Sequence, residues 1–311
     1  MNKRIPLIFR TLSAFLSIMI LCVSLFSCTP SEGTPSESSS EPQSSPDATP
    51  IETPKEESTP EPSVPETTEP ETEPETEPAP EPITLKIGSY NIANGSAVDH
   101  DMSKLAEDIV DKELDIVGFQ EVDQKALRSK RRDTMKLISE ASGLHYYAFF
   151  KAIDLQGGEY GVAVLSKYPI VETHRTELYS DTEEQRVLGH AVIDVDGVLI
   201  NFFVTHLSYE SKALRDEQFA TIAEKTAGLD NFIITGDFNT SNFSEYSVIK
   251  NADMVNNAKH SINTFSNPNP TSSIDNIVFS KGNWTFEKPA VLPNGKSDHC
   301  LLYAQGTFDP N

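Results

Sequence analysis

The pattern of apolar and polar positions divides the chain into three stretches. Lys3, Arg4 and Arg10 precede an apolar run over residues 11–26. Residues 29–82 contain few apolar residues and show neither a helical nor a strand period. From residue 83 onward, short apolar runs alternate with amphipathic stretches, which is typical of a packed domain. The pattern therefore predicts a single folded domain over residues 83–311, a length that suits one fairly large domain.

Within this domain, helical and strand patterns first alternate, and strands then follow one another directly. Helical spacing covers residues 105–113, 132–142 and 211–227. Strand patterns cover residues 85–90, 114–120, 145–150, 160–166, 170–178, 186–195, 198–206, 231–237, 274–280 and 299–306. Asp196-Gly197 is a hairpin turn signal between two of these strands. Helix–strand units in both halves, with successive strands between them, predict two packed sheets with helices outside.

Residues 1–28 have the features of an export signal. Basic residues followed by an apolar run of about 16 residues are typical of a secretory signal, and the run is short of the ~20 residues that span a bilayer. The segment ends in Leu25-Phe26-Ser27-Cys28, which resembles the lipobox of bacterial lipoproteins. This resemblance implies acylation of Cys28 and a protein held at the outer face of the cytoplasmic membrane or at the cell surface. An uncleaved signal anchor, the alternative, also predicts export.

Residues 29–82 form a linker by composition. They contain 14 of the 21 prolines and 15 acidic residues against the single base Lys55. Such a segment buries too little apolar surface to offset the entropy of ordering it, so we expect no packed structure. A tether that lifts the domain away from the membrane and a solubilising tail both fit this composition.

Charge and cysteine content narrow the chemistry. The chain has a net charge of −22, and residues 83–311 have 32 acidic against 21 basic residues. An acidic domain makes non-specific nucleic-acid binding unfavourable, although a local cationic site remains compatible with it. Three cysteines cannot supply a cysteine-rich metal cluster or a disulfide framework. Any metal must therefore be held by oxygen and histidine ligands.

Polar side chains recur where the predicted strands end or begin. These residues are Asn91, Glu121, His206, Asp237, Asn239, Asp275, Asp298 and His299. Each of them alone has an ordinary explanation, since Asp and Asn often form turns after strands. Together, carboxylates, amides and imidazoles at so many strand ends predict a polar floor around one cleft.

The segments SYNIANG, DIVGFQEVDQ, GGEYGVAVLSKYPI, THLS, GDFNT, SSIDNIVFS and SDHC occur in this order. Their order and spacing resemble the endonuclease/exonuclease/phosphatase superfamily over about residues 84–305. The resemblance implies an α+β, DNase I-like fold, a four-layer α-β-β-α sandwich of two packed mixed sheets. It also implies hydrolysis of phosphoester bonds with a divalent cation, usually Mg²⁺, with Mn²⁺ as the alternative.

The resemblance implies a metal-binding group and a catalytic group. Glu121 corresponds to the main metal-binding glutamate, and Asn91 supports the metal or its water. Asp298 is expected to bind the metal or to contact the residues that bind it. Asp237 matches the aspartate that activates water, and Asn239 the amide that holds the phosphate. The remaining expected catalytic residues are His206 (contact to phosphate or proton donor to the leaving oxygen), His299 (stabilisation of the phosphorus centre), Asp275 (orientation of His299) and Arg186 (neutralisation of phosphate oxygens).

These expectations predict an extracytoplasmic Mg²⁺-dependent phosphoesterase that hydrolyses a phosphodiester by in-line attack of an Asp237-activated water. The diester is a lipid headgroup, a small molecule or a nucleic acid, the last not favoured by charge. A nuclease proper, a phosphomonoesterase and a non-catalytic surface binding protein remain the alternatives. The sequence implies no protein partner, so a monomer is expected. The basic residues Lys125, Arg128, Lys130, Arg131, Arg132 and Lys136 indicate either an anion-binding surface or a solvated helix face.

Overall fold

The computed structural model describes residues 81–311. The predicted signal segment 1–28, the linker 29–82 but for its last two residues, and Cys28 lie outside the described residues. Within these residues the α-helices are α1 (Met102–Asp111), α2 (Thr134–Ser142) and α3 (Lys212–Thr226), and short 3-10 helices cover Ala93–Val98 and Phe243–Val248. The strands are β1 (Ile83–Asn91), β2 (Ile116–Gln124), β3 (Tyr146–Leu155), β4 (Gly158–Ser166), β5 (Ile170–Leu178), β6 (Arg186–Val195), β7 (Val198–His206), β8 (Phe232–Asp237), β9 (Ala252–Met254), β10 (Asp275–Ser280), β11 (Trp284–Phe286), β12 (Ala290–Leu292) and β13 (Leu301–Phe308).

The strands form two mixed sheets. Sheet I has the order β11-β13-β1-β2-β4-β3, with β12 also paired to β13, and sheet II has the order β5-β6-β7-β8-β10-β9. Each sheet contains one parallel pair, β1 with β2 and β7 with β8, and every other pairing is antiparallel. A parallel pair needs a crossover connection, which α1 provides in sheet I and α3 in sheet II.

Three hydrophobic cores separate four layers. The central core joins inward-facing residues of both sheets, such as Ile87 and Val164 with Phe202 and Ile233. A second core packs α1 and α2 on the outer face of sheet I. A third packs α3 on the outer face of sheet II. Because every sheet face is covered, the expected α-β-β-α sandwich of two packed mixed sheets is confirmed.

The two sheets approach closely at Gly118 of β2. A Cβ atom at this position would lie 1.9 Å from Thr235 Oγ1 and 3.1 Å from Val204 Cγ2, both on sheet II. No side chain fits at such a distance, so glycine is required there for the sheets to pack. This contact lies three residues before Glu121 and two before Asp237, and it therefore fixes the separation of the two strand ends that carry them.

Local signals in the sequence agree with the helices and with one hairpin. The Asp133 side chain accepts a hydrogen bond from the Lys136 amide at the start of α2, and Gly143 ends the helix with a φ of 77°. Ser211 caps α3 in the same way. Asp196 and Gly197 both have positive φ, as a tight hairpin turn requires. Over residues 81–311, no helix has the length and apolar character needed to cross a membrane.

Two predictions about strands were wrong. The strand predicted over residues 114–120, ending before Glu121, continues to Gln124. A bulge leaves Gln120 and Glu121 unpaired with β4, and the pairing resumes at Val122. The short strands β9, β11 and β12 were missed, since three residues each are too few to show a period. The second helix begins at Thr134 and not at residue 132, because Asp133 is its cap.

Candidate active site

The site lies where the two parallel strand pairs end. Asn91 is the last residue of β1, and His206 and Asp237 are paired at the ends of β7 and β8. Asp275, the first residue of β10, is paired with Asp237 from the other side. The carboxyl ends of parallel strands meet at one edge of a sheet, where the connecting loops open a crevice. Stacking the two sheets brings both edges to the same cleft.

A β-bulge turns Glu121 into this cleft. Gln120 and Glu121 are left out of the register between β2 and β4, and Glu121 has a φ of 55°. A left-handed backbone is unfavourable for a glutamate, and such strain is found mainly at functional sites. The Asn91 amide donates a hydrogen bond to Glu121 Oε1 at 3.1 Å.

Asp237 is buried among hydrogen-bond donors. Asn91 Nδ2 donates to Asp237 Oδ2 at 3.1 Å, and the backbone N–H of Asn239 donates to Asp237 Oδ1 at 3.0 Å. Burial and the neighbouring carboxylate of Asp275 raise the pKa of Asp237 to about 7, although His299 and the two donors act in the opposite direction. A carboxylate with a pKa near neutrality is suited to accept a proton from water.

His299 lies between carboxylates. Its Nδ1 is 2.9 and 3.1 Å from the two oxygens of Asp275, and its Nε2 is 3.5 Å from Asp237 Oδ2. Burial acts to lower the pKa of His299, but Asp275, Asp237 and Asp298 outweigh it and raise the pKa to about 10. At neutral pH this side chain is therefore an imidazolium oriented by Asp275. The Phe265 ring packs beside it, with the ring centroids 4.8 Å apart.

His206 has the opposite electrostatic state. It is buried, and burial together with the positive charges of Arg186 and His299 places its pKa well below the usual range. Its Nε2 lies 3.5 Å from Asp237 Oδ2, and its Nδ1 has no hydrogen-bond partner. A neutral imidazole can bind a phosphate oxygen through an N–H group. It cannot serve as a ready proton donor to the leaving oxygen, so contact to phosphate is the favoured one of its two expected roles.

Arg186 is a buried cation with unused donors. The residue is 4% exposed, and its Nη1 lies 3.1 Å from the Glu184 carboxylate without forming a hydrogen bond. Its Nε also has no partner. A buried unpaired donor on a guanidinium costs free energy unless a ligand meets it, and phosphate oxygens match its geometry.

Seven of the nine expected site residues line one cleft of about 450 Å³. They are Glu121, Arg186, His206, Asp237, Asn239, Asp298 and His299. Asn91 and Asp275 lie directly behind them and contact them by hydrogen bonds. Asn239 has a positive φ, and its Nδ2 donates to the Leu207 carbonyl, which fixes its amide at the cleft wall.

Glu121 fits a divalent cation. Burial raises the pKa of this carboxyl, the amide of Asn91 acts against that shift, and the nearby Asp298 carboxylate adds to it. Among residues 81–311, no lysine, arginine or histidine lies within ion-pair distance of Glu121. The positive charges of His299 and Arg186 lower the pKa of Glu121, but both side chains lie beyond ion-pair distance. Two carboxylates with an amide and no direct ion pair form an oxygen-rich site of the kind that Mg²⁺ or Mn²⁺ prefers.

A second group, Asp237, Asp275 and His299, also has its ligand atoms within 4.8 Å of one another. Here a cation is already present, because the His299 imidazolium sits between the two carboxylates and offsets one of their two negative charges. Its Nδ1 carries the proton that it shares with Asp275, so it offers no lone pair to a metal. Glu121 is therefore the better position for a metal.

An asparagine that the sequence analysis missed fixes the loop that carries His299. The Asn267 amide N–H donates to the Asp298 carbonyl at 2.7 Å. Its side-chain Nδ2 donates to the carbonyls of Ser297 and His299 at 3.0 and 3.2 Å. The Ser297 hydroxyl in turn donates to the carbonyl of Asn91 at 2.8 Å. No local pattern marks Asn267, since its partners are about thirty residues away.

Asp108 anchors the other end of the same loop. This helical aspartate is 2% exposed and accepts hydrogen bonds from the Tyr90 hydroxyl and from Asn294 Nδ2. Lys296 Nζ lies 2.7 Å from its other oxygen. A buried acid on an amphipathic helix is the only sequence signal that could have indicated this role, because buried carboxylates need partners.

Comparison with known proteins agrees with this geometry. The profile described as endonuclease/exonuclease/phosphatase family matches residues 88–299. A Caenorhabditis elegans protein named as a neutral sphingomyelinase is 30% identical over 163 residues, which cover 45% of this chain and 36% of that protein. The Schizosaccharomyces pombe protein cwh43 is 32% identical over 122 residues, covering 39% of this chain and 12% of that protein. The chain thus matches about a third or less of the length of these relatives.

Solved structures share the fold. An endonuclease/exonuclease/phosphatase family protein from Bacteroides thetaiotaomicron has a TM-score of 0.62 and 22% identity, with 74% of this chain and 97% of that chain covered. A mannosyl-6-phosphatase from the same organism has a TM-score of 0.60 and 21% identity, with 72% and 100% covered.

Proposed function

The chain belongs to the endonuclease/exonuclease/phosphatase family, a family of phosphoester hydrolases, and we propose that it hydrolyses a phosphodiester by attack of a water activated by Asp237. The observation that carries the proposal is the state of this carboxyl. It is buried, held by two donors and has a pKa raised to about 7, so near neutral pH a large share of the molecules has it ionised and ready to take a proton. A carboxyl with an ordinary pKa would be a weaker base.

The cations around Asp237 supply the other half of the chemistry. The His299 imidazolium and the Arg186 guanidinium both line the cleft, and each has donors suited to the non-bridging oxygens of phosphate. The neutral His206 and the Asn239 amide add uncharged donors. Preorganised donors of this kind stabilise charge that develops at phosphorus, and removing one such donor typically costs about 10²–10³-fold in rate.

A divalent cation is the expected cofactor of this site. Glu121 would hold it, with Asn91 and Asp298 in support, and when bound it would polarise the phosphate and offset its negative charge. The buried carboxylate of Glu121, with Asp298 nearby and no basic partner among the described residues, supports this assignment. Mg²⁺ is the cation we propose, with Mn²⁺ as the alternative.

The similarity to a protein named as a neutral sphingomyelinase supports a diester substrate, and that to a mannosyl-6-phosphatase keeps a monoester as the competing candidate. We further propose that the enzyme acts outside the cytoplasm, held at the membrane by an acylated Cys28 and separated from it by the proline-rich residues 29–82. The order of basic, apolar and lipobox-like residues supports this location.

A substrate panel tests the proposal. The full chain, purified in detergent, is assayed with bis-p-nitrophenyl phosphate, p-nitrophenyl phosphate, sphingomyelin, and single- and double-stranded DNA, each with Mg²⁺, Mn²⁺ or EDTA. We expect hydrolysis that EDTA abolishes, with diesters preferred over the monoester. Preference for p-nitrophenyl phosphate would replace the diesterase with a phosphomonoesterase. Full activity in EDTA would contradict the metal, and silence on all substrates would favour a binding protein on the same scaffold.

A further inference from the structure

The six basic residues that follow Glu121 do not form one surface. Five of them, Lys125, Lys130, Arg131, Arg132 and Lys136, are exposed and do not line the cleft. Lys130 lies 2.6 Å from Asp99, and Lys136 lies 3.7 Å from Glu140. Exposed pairs of this kind contribute little to stability or binding. Arg128 is the exception, because it lines the active-site cleft.

A buried carboxylate holds Arg128 in place. Its Nε and Nη2 atoms each donate to one oxygen of Asp123 at 2.8 Å, a bidentate pair. The Asp123 side chain is fully buried, whereas 37% of the Arg128 side chain is exposed. The backbone N–H of Arg128 also donates to Gln156 Oε1 at 2.9 Å. The guanidinium is therefore a fixed group and not a mobile surface charge.

Within residues 81–311, one edge of this guanidinium has no hydrogen-bond partner. Of its five N–H groups, Asp123 takes two, on the edge formed by Nε and Nη2. The edge formed by Nη1 and Nη2 presents the same spacing of donors, which matches two oxygens of a phosphate or a carboxylate. Because Arg128 is part-exposed and lines the cleft, a ligand in the cleft can reach it.

The packing of Arg128 on the Tyr160 ring determines which charge this part of the cleft accepts. The Arg128 guanidinium carbon lies 5.4 Å from the centre of the Tyr160 ring, and the ring lines the same cleft. An aromatic face next to carboxylates would otherwise suit a quaternary ammonium group. Here the arginine already occupies the cation position on the ring, so an incoming cation meets a like charge.

We propose that Arg128 is a specificity-determining residue that binds a second anionic group of the substrate, next to the phosphate that is hydrolysed. This inference rests on the proposed phosphodiesterase function and refines its substrate class. Arg186 is the guanidinium for the reacting phosphate, because it is buried and two of its nitrogens make no hydrogen bond among the described residues. Arg128, which is more exposed, is the guanidinium for the second anion. The preferred substrates are then phosphorylated polyols or nucleotides, and a diester with a choline group is disfavoured.

Three substrates with the same leaving group test this assignment. They are thymidine 5′-(p-nitrophenyl phosphate), its derivative with a 3′-phosphate, and p-nitrophenyl phosphorylcholine. We expect kcat/KM of the full chain to be ~10-fold or more higher with the 3′-phosphate than without it, since a hydrogen-bonded charge contributes about that much. The choline ester should be the poorest of the three. Equal rates for both thymidine esters, or a preference for choline, would overturn the inference without any variant.

The variants remove the guanidinium without leaving a buried charge. Arg128→Gln alone would leave Asp123 buried and unpaired, so the main variant is the double change Asp123→Asn/Arg128→Gln. Its 3′-phosphate preference should fall to about 1, because the guanidinium that binds the second anion is gone. Lys136→Gln, which removes one positive charge of the same basic cluster outside the cleft, should keep the wild-type preference. A preference that survives in the double variant would show that another residue binds the anion.

A binding measurement separates this inference from the proposed function. If the wild type hydrolyses none of the three esters, the phosphodiesterase proposal fails on that result. Calorimetric titration with thymidine 3′,5′-bisphosphate and thymidine 5′-monophosphate then decides the inference alone. About tenfold tighter binding of the bisphosphate, lost in the double variant, would support it, and equal affinities would refute it.

Discussion

The two parallel strand pairs, β1–β2 and β7–β8, share a topology and differ in electrostatics. Each pair is joined by a crossover helix, and each presents polar residues to the cleft at its carboxyl end. At the β7–β8 end, the His299 imidazolium lies between Asp237 and Asp275 and offsets one of their two negative charges. At the β1–β2 end, Glu121 has an amide donor and a second carboxylate nearby, and the cations His299 and Arg186 act on it only from beyond ion-pair distance.

Because of this difference, the two strand ends are suited to different tasks, the β7–β8 end to proton transfer and the β1–β2 end to cation binding. The β7–β8 end contains its own counter-charge and can move a proton at Asp237 without outside help. The β1–β2 end favours a cation from solution at Glu121, because a half-buried carboxylate without an ion-pair partner is costly. Asn91 of sheet I and His299, in the loop before β13, both contact Asp237 of sheet II, so neither end functions alone.

The largest effect is expected from Asp237→Asn, which removes the base and keeps the shape. The rate of hydrolysis should fall by about 10³-fold, since general base catalysis contributes ~10²–10⁴. The melting temperature at pH 8 in EDTA should stay equal or rise, because burial beside Asp275 makes the charged form of Asp237 unfavourable. Asp216→Asn, an exposed change of the same kind, is the control and should alter neither quantity. A near-normal rate in Asp237→Asn would disprove the role of this residue as the base.

At the other strand pair, Glu121→Gln should break the metal site. Addition of Mg²⁺ should raise the melting temperature of the wild type, as binding to the native state stabilises it by ~2.7 kcal/mol at one hundred times the dissociation constant. The variant should lose this shift and should lose activity by about 10²-fold. Glu140→Gln, an exposed glutamate paired with Lys136, should retain the shift. If Glu121→Gln keeps the shift and Asp275→Asn loses it, the metal lies at the Asp237, Asp275 and His299 group instead.

A smaller effect, on stability, is expected from the titration of His299. The pKa of His299 is raised from 6.5 to about 10, so the folded chain holds a proton that the unfolded chain releases above pH 6.5. The stabilisation is complete below pH 6.5 and is lost as pH rises to about 10. Measured by urea unfolding in EDTA, the stability difference between wild type and Asp275→Asn should be on the order of a few kcal/mol at pH 6 and should shrink towards pH 10. A difference that does not change over this range would show that His299 is not an imidazolium.

Much of the fold followed from the sequence because its signals are local. Alternating and continuous apolar runs marked the ten longer strands, and caps such as Asp133 and Gly143 fix the ends of α2. The three shortest strands were missed because their pairing with long neighbours, and not their own pattern, creates them. The bulge at Glu121 was missed for a similar reason, since it is a mismatch between two strands.

The membership of the site was also accessible from the sequence, through the ordered motifs that carry its polar residues. The charge states of these residues were not accessible from the sequence. His206 and His299 are the same residue type at the ends of strands, yet one is neutral and the other charged at neutral pH. Burial, with the charges of Arg186 and His299, lowers the pKa of His206, whereas Asp275 and the other carboxylates outweigh burial and raise the pKa of His299. Asn267 carries no motif and was not considered.

The sequence by itself determined which residues are available: the strand and helix order, the polar residues at strand ends, and the basic cluster after Glu121. Only the tertiary structure determined the charge state and the hydrogen-bond partners of each of these residues. It paired Asp275 with His299 across 24 positions of the chain, and it set Arg128 apart from its basic neighbours by placing it on buried Asp123. The physical reason is that apolar periods and turn signals act over a few residues, whereas charge states and hydrogen-bond partners depend on burial and on distances between segments that only folding brings together.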